Sequence, residues 1–178
     1  MTEAPSTLVR PERPADEAAV RAVNVAAFGR PGTETDEADL VDAIRRNGNV
    51  IVSLVAEREG EVVGHALFSP LTITAEDGST WTHPALGPLA VLPEHQRRGV
   101  GSALMRAGIE ACRDRGYGAV FLLGHVSYYP RFGFQPARPL GIVYDDGRDS
   151  FMVLELQPGA LAGVSGRARF SPEFDAFS

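Results

Sequence analysis

The stretch Leu86-Gly87-Pro88-Leu89-Ala90-Val91-Leu92-Pro93-Glu94-His95-Gln96-Arg97-Arg98-Gly99-Val100-Gly101-Ser102-Ala103-Leu104 constrains this chain more than any other. It reads as a strand from about His83 to Val91, a tight glycine turn, and a helix over Arg98 to Arg115. On that helix Val100, Ala103, Leu104, Ala107 and Ala111 fall on one stripe, while Arg106, Glu110, Arg113 and Asp114 fall elsewhere and face water. Gly116 stops it. A strand that feeds a helix through so short a turn leaves the first helical N–H groups without intrahelical partners. They point outward with the positive end of the helix dipole, and a phosphate is their natural occupant. Gly99 and Gly101 carry no side chain, so an anion can approach the backbone closely. Arg97 and Arg98 are expected at the helix start, where a cation is disfavoured by a few tenths to about 1 kcal/mol. A bound polyanion reverses the sign of that term. The plainer reading is a structural turn flanked by exposed arginines.

Length and charge narrow the field. The 178 residues suit one domain with a real core. Apolar residues make up 44% of the chain, an ordinary globular share. The net charge of −6 argues against bulk nucleic acid as a partner, which needs a basic face. No stretch approaches the roughly 18 apolar residues of a membrane span. Met1-Thr2-Glu3-Ala4-Pro5 lacks a basic region followed by an apolar run, so no secretory signal is expected. A single cysteine, Cys112, makes no internal disulfide, which fits a reducing, cytoplasmic compartment.

The rest of the chain reads as alternating elements. Ser6 to Arg10 is a short strand. Asp16 is placed as N-cap of a helix using Ala19, Val20, Val23, Ala27 and Phe28. Thr35 to Arg46 is a second helix, closed by Asn47-Gly48. Val50 to Glu57 and Glu61 to Pro70 are strands joined at Arg58-Glu59-Gly60, with Leu71 to Thr74 extending the second. Ala119 to Leu123 is a buried strand, Tyr128 to Phe132 one helical turn, and Phe151 to Leu156 a last strand. This order predicts an α/β fold, a mixed central sheet with helices on both faces. From Pro158 the chain is read as an appended tail.

The ligand of the turn follows partly by elimination. The pattern GxxxxGK[ST] of nucleotide triphosphatases is absent. A dinucleotide fingerprint needs a third glycine where Leu104 stands. What remains, Gln96-x-x-Gly99-x-Gly101 after a strand, resembles the acetyl-CoA signature of the GNAT superfamily of N-acetyltransferases. Tyr128-Tyr129-Pro130-Arg131-Phe132-Gly133-Phe134 resembles a second segment of that family, in the right order and about thirty residues on. Val62-Val63-Gly64-His65-Ala66 matches its third strand. The resemblance covers roughly residues 7–157 and implies a single GNAT-like domain, with 158–178 as a C-terminal tail packed on it. In detail it is most similar to a bacterial subgroup of predicted acetyltransferases.

The resemblance also implies roles. Main-chain groups of Leu89, Ala90 and Val91 would hold the pantetheine arm as an added strand does. A β-bulge near Gly87-Pro88 to Ala90 would aim an N–H near Leu89 at the thioester carbonyl. Gln96, Arg97, Arg98, Gly99, Val100, Gly101 and Ser102 would hold the pyrophosphate. Tyr129 would protonate the departing thiolate, and Tyr128 would pack beside it. No base stands out: Glu57, Glu94 and His65 are the candidates, and His125 is expected to line the cleft. His83, His95 and His125 share no metal-ligand spacing, so no metal is expected. Cys112 reads as a small core or flank residue, and no G-x-S-x-G elbow supports a hydrolase.

The expected activity is therefore transfer of an acetyl group from acetyl-CoA to a primary amine of a small molecule or protein, by direct attack. The acidic charge mildly favours a cationic acceptor. A homodimer is compatible with the family. The rival readings are a non-catalytic acyl-CoA-binding or sensing module, and a nicotinamide oxidoreductase, which the missing third glycine disfavours.

Overall fold

In the computed structural model, which describes residues 4–177, the elements follow the order β1 (Leu8–Pro11), α1 (Glu17–Phe28), α2 (Asp36–Arg46), β2 (Val52–Arg58), β3 (Glu61–Thr74) and β4 (Thr80–Val91). Then come α3 (Val100–Asp114), β5 (Ala119–Leu123), β6 (Gln135–Pro136), β7 (Ile142–Val143), β8 (Phe151–Glu155) and β9 (Gly166–Phe170). Met1–Glu3, part of the stretch read as lacking a leader, and Ser178 lie outside the described residues. One mixed sheet runs β1-β2-β3-β4-β5-β8-β6. Its pairings are antiparallel except β4 with β5, and β7 with β9.

Strand alternation sorts the core into two faces. Val52, Leu54, Ala56, Ala66 and Phe68 point to the side covered by α3, where they meet Val100, Leu104 and Met105. Val55 and Leu67, one residue out of phase, point to the opposite side and pack on Val20, Leu40, Val41 and Ile44 of α1 and α2. Helices thus cover both faces of a single domain, as the order of elements predicts.

The apolar stripe of α3 differs from the predicted one. Its buried residues are Val100, Leu104, Met105, Gly108, Ile109 and Cys112, whereas Ala103, Ala107 and Ala111 are only half-buried. Turning the helix this way buries the larger side chains Met105 and Ile109, which remove more apolar area from water than alanines do. Gly108 lets the helix sit close: a Cβ there would lie 2.3 Å from the Phe68 ring.

Two boundary expectations are corrected. Asp16 stands before α1 but does not cap it with its side chain. Its carboxylate instead accepts the Arg13 N–H at 2.7 Å and both ends of the Arg10 guanidinium at 2.7 and 2.9 Å. The Arg10 contact pulls its pKa down to about 2. Helix α3 begins at Val100, not Arg98, because Arg97 (φ 59°) and Gly99 (φ 83°) both adopt left-handed backbone and break helical continuation.

The segment after Pro158 adds structure that composition did not suggest. β9 pairs with Leu71–Thr74 on the same edge of β3 that β2 occupies from Glu61 to Phe68. A 3-10 turn, Pro172–Phe177, then packs against α2, where the Glu173 carboxylate accepts Asn47 Nδ2 at 2.9 Å and Asn49 Nδ2 at 2.6 Å.

Gly108→Ala tests the seating of α3. Alanine gains up to about 1 kcal/mol of helix propensity, but the clash with the fully buried Phe68 costs about 1–3 kcal/mol. The expected outcome is a lower thermal midpoint, measured by circular dichroism; a raised midpoint would show that the sheet yields.

Candidate active site

The site is built on an opening in the sheet. β4 pairs with β5 only at Ala85–Phe121 and Leu86–Leu122. Beyond Leu86 the two strands diverge. The register between β3 and β4 shifts here: Phe68 faces Leu86 and Ala66 faces Leu89, so Gly87 and Pro88 together oppose Leu67. This is a β-bulge on β4, and it bends the strand away from its neighbour. The Gly87–Pro88 peptide is cis.

Backbone alternation then fixes which groups face the gap. The Leu92 N–H donates to Val63 O at 2.9 Å. In an antiparallel ladder bonded and non-bonded pairs alternate, so Ala90, opposite His65, also turns its N–H and C=O to β3. Leu89 and Val91 turn theirs into the opening. Ala90 is fully buried, with its main-chain groups turned to β3.

At the top of the opening, the turn after β4 closes on itself. Gln96 Nε2 donates to Val91 O at 3.1 Å, so its side chain shapes the turn. Arg58, which is buried, donates to Arg98 O at 3.0 Å and to Thr7 Oγ1 at 2.8 Å, tethering the turn from below. The N-terminus of α3 carries no side-chain cap, so its leading N–H groups stay available. Gly99 and Gly101 line a cavity of about 510 Å³ together with Arg97, Ser102, Tyr128 and Arg131.

Tyr128 joins this turn to the aromatic segment. Its hydroxyl lies 3.0 Å from Ser102 Oγ. Its ring meets Tyr129 edge-on at 5.0 Å and Phe132 at 5.4 Å, and the Arg131 guanidinium sits 4.4 Å over its face. Tyr128 is therefore more than packing: it bridges two segments some thirty residues apart. Arg131 adds a second cation, beside Arg97, to this cavity.

Tyr129 lies on the far side of Tyr128. Its ring packs closely against Gly124, where an added Cβ would come within 2.1 Å of Cε2. Burial, helped by the neighbouring Tyr128, pushes its phenol above the usual value, so it stays protonated at neutral pH. Tyr129 and His125 line a second cavity of about 420 Å³ that also touches Pro88 and Leu89. The strand opening thus connects an anion-ready turn with a neutral phenol and a cleft beside it. The profile of the acetyltransferase (GNAT) domain family matches residues 9–137.

The chain belongs to the GNAT acetyltransferase family.

Among relatives of this GNAT chain, the uncharacterized N-acetyltransferase YjhQ of Escherichia coli K12 is 45% identical over 123 residues, 68% of this chain and 65% of that protein. The uncharacterized N-acetyltransferase YhbS of the same strain is 34% identical over 174 residues, 96% of this chain and 99% of that one. The crystal structure of Escherichia coli YhbS in complex with CoA superposes with a TM-score of 0.89 at 30% identity, covering 100% of this chain and 97% of that one. A GNAT family acetyltransferase from Brucella melitensis in complex with acetyl-CoA gives a TM-score of 0.78 at 35% identity, covering 96% of this chain and 99% of that one.

Of the base candidates, none lines either cavity of this GNAT site. Glu57 binds Arg10 at 2.7 Å, and Glu94 is exposed on the turn. His65 is fully buried: Asn24 Nδ2 lies 3.2 Å from its Nδ1, and Ser53 Oγ lies 3.0 Å from its Nε2. Asn24 donates, so the proton sits on Nε2 and His65 serves the core. Cys112 is fully buried, and burial raises its thiol to about 12, which suits a core residue and not a nucleophile. Among the described residues no three His, Cys, Asp or Glu side chains are grouped to hold a metal ion, and no helix is long and apolar enough to cross a membrane.

Sequence reasoning passed over Arg58, Gly124 and Arg131. Arg131 stood inside the quoted aromatic segment and could have been weighed as an anion ligand. Arg58 and Gly124 carry no local signal, since their roles rest on contacts distant in sequence. Gly124→Ala is expected to drive the Tyr129 ring off its seat at a cost of about 1–3 kcal/mol. A crystal structure of the variant with the ring unmoved would contradict this seating.

Proposed function

We propose that the main-chain groups of Leu89 and Val91 hold the pantetheine arm of acetyl-CoA, that the turn from Gln96 to Ser102 holds its diphosphate, and that Tyr129 is the acid of the transfer. The acetyl donor is common ground for the family, and the relatives solved with CoA and acetyl-CoA support it here. The single observation that carries the assignment is the one-sided pairing of β4. The Leu89 main chain and the Val91 N–H face the opening, while Val91 O already accepts Gln96 Nε2, and an extended amide chain pairs with such groups as another strand would. The uncapped α3 terminus, Arg97 and Arg131 suit the diphosphate that follows.

The reaction follows from this placement. A neutral primary amine attacks the thioester carbonyl. Main-chain N–H at the bulge stabilises the oxyanion, the C–S bond breaks, and Tyr129 gives its proton to sulfur. The proton lost by the new amide restores the phenol through solvent. Positioning of both reactants in the opening supplies most of the rate. We assign this activity to residues 7–157, with 158–178 as an adjunct packed on them, and we place the protein in the cytoplasm, which a lone buried cysteine supports.

Two substitutions test the roles separately. Tyr129→Phe should lower kcat by about a hundredfold with acetyl-CoA affinity nearly unchanged. In the wild type, turnover should fall only as pH rises past the elevated phenol value, and the variant should lack that limb. An unaltered kcat would remove the acid role. Gly101→Asp should weaken CoA binding tenfold or more, about 1.4 kcal/mol, by calorimetry. A Cβ at Gly101 has only ordinary contacts, at 3.8 Å to Val91 and 3.9 Å to the Tyr128 hydroxyl, so Gly101→Asn is a neutral control of similar shape. Equal affinity for both variants would remove the diphosphate from this turn.

A further inference from the structure

On the side of the bulge away from the α3 turn, the cavity that holds Tyr129 and His125 continues into another of about 320 Å³. The two share Glu37, Leu40, Leu123 and Phe174 as walls. Phe28 closes the near end, and Tyr144, Phe170 and Phe177 close the far end. The lining is aromatic and aliphatic, and among the described residues no Lys or Arg enters it.

Its charge is one-sided. Asp36 and Glu37, half-buried in the first turn of α2, border the groove. The next acidic residues along α2 are neutralised: Asp39 and Asp42 both bind Arg21, and Asp42 also binds Arg45. Asp36 and Glu37 make no ion pair among the described residues, although the α2 dipole favours their charge. Two unneutralised carboxylates beside Phe28, Tyr144 and Phe174 complement an organic cation with an apolar body.

The C-terminal segment sets the shape of this groove. The buried Glu173 carboxylate, bonded to Asn47 and Asn49, fixes the 3-10 turn against the end of α2. That turn lays Phe174 over the bulge, with ring atoms 3.5 Å from where a Cβ on Gly87 would stand. Phe170 backs it at 5.2 Å between ring centroids.

We infer that this groove is the acceptor subsite and that it takes a small primary amine carried on an aromatic or branched apolar body, with Glu37 meeting the ammonium and Phe174 selecting the body. The inference rests on the acetyl-CoA placement proposed above. The amine gives up its extra proton to solvent before it reacts. Its nitrogen then bonds the acetyl carbon, the C–S bond breaks, and the balance is one N–H lost and one thiol S–H formed.

The test measures thiol release from acetyl-CoA with 2-phenylethylamine and tryptamine against spermidine, glucosamine and a lysine-containing peptide. Calorimetry of acetyl-CoA binding runs alongside. The arylalkylamines should show a kcat/KM at least tenfold above the others. Glu37→Gln should raise their KM about tenfold and flatten its salt dependence, with the KM for acetyl-CoA unmoved. Phe174→Leu should narrow the preference between arylalkylamines and spermidine, and the more exposed Phe177→Ala should do so in part, with folding intact. Bound acetyl-CoA with a preference for spermidine, glucosamine or the peptide, or with no turnover of any arylalkylamine, would overturn this inference alone. Failure to bind acetyl-CoA would overturn the cofactor placement and this inference with it.

Discussion

β4 is held on one side only beyond Leu86, and the rest of the molecule is arranged around that fact. Its other edge is paired to β5 for two residues and then released by the bulge at Gly87–Pro88. An unpaired strand edge inside a folded core is costly unless something completes it. Here the gap is framed instead of filled. The α3 turn stands at one end, the Tyr128–Tyr129 pair crosses it, and the C-terminal aromatics floor the other side. Each feature of the proposed chemistry uses the same opening, so a single irregularity in one ladder organises donor, acid and acceptor.

Such an opening needs rigid walls. α3 is pressed onto β3 by the Gly108–Phe68 approach, and Gly64 allows Val100 and Leu104 the same closeness, at 3.0 and 2.9 Å from a hypothetical Cβ. On the opposite face the Asn24–His65–Ser53–Glu12 chain ties α1, β3, β2 and the segment after β1. Burial raises the Glu12 carboxyl, but hydrogen bonds from His65 and Ser53 and the Arg45 charge outweigh it and hold the group below its usual value. A hydrogen-bonded network of this kind is worth more to the uniqueness of the fold than to catalysis. The buried His65 is a strut of the core.

Much of this was legible in the residues. The strand–turn–helix passage, the two helices on the far face and the aromatic segment all rest on local pattern, and the strands through Leu123, the last of them Ala119–Leu123, appear close to where periodicity put them, whereas β6, β7 and β9 carried no such signal. What local pattern misjudged is instructive. The alanines of α3 sat on a plausible stripe, yet the helix turned toward Met105 and Ile109 because the sheet offered those larger groups more burial. Asp16 had the right residue type for a cap, yet Arg10, six residues earlier, drew its carboxylate away.

The sequence by itself determined the elements and the proposed donor turn, because short-range geometry dictates both: glycine permits left-handed backbone, and a helix must leave its first N–H groups unpaired. Tertiary structure alone decided which main-chain groups of β4 stay open, that Tyr129 rests on Gly124, and that a tail of unremarkable composition brings Phe170, Phe174 and Phe177 to the acceptor side. Those outcomes depend on strand register and on contacts between residues more than a hundred positions apart, such as Glu173 with Asn47. No local spacing rule carries that information.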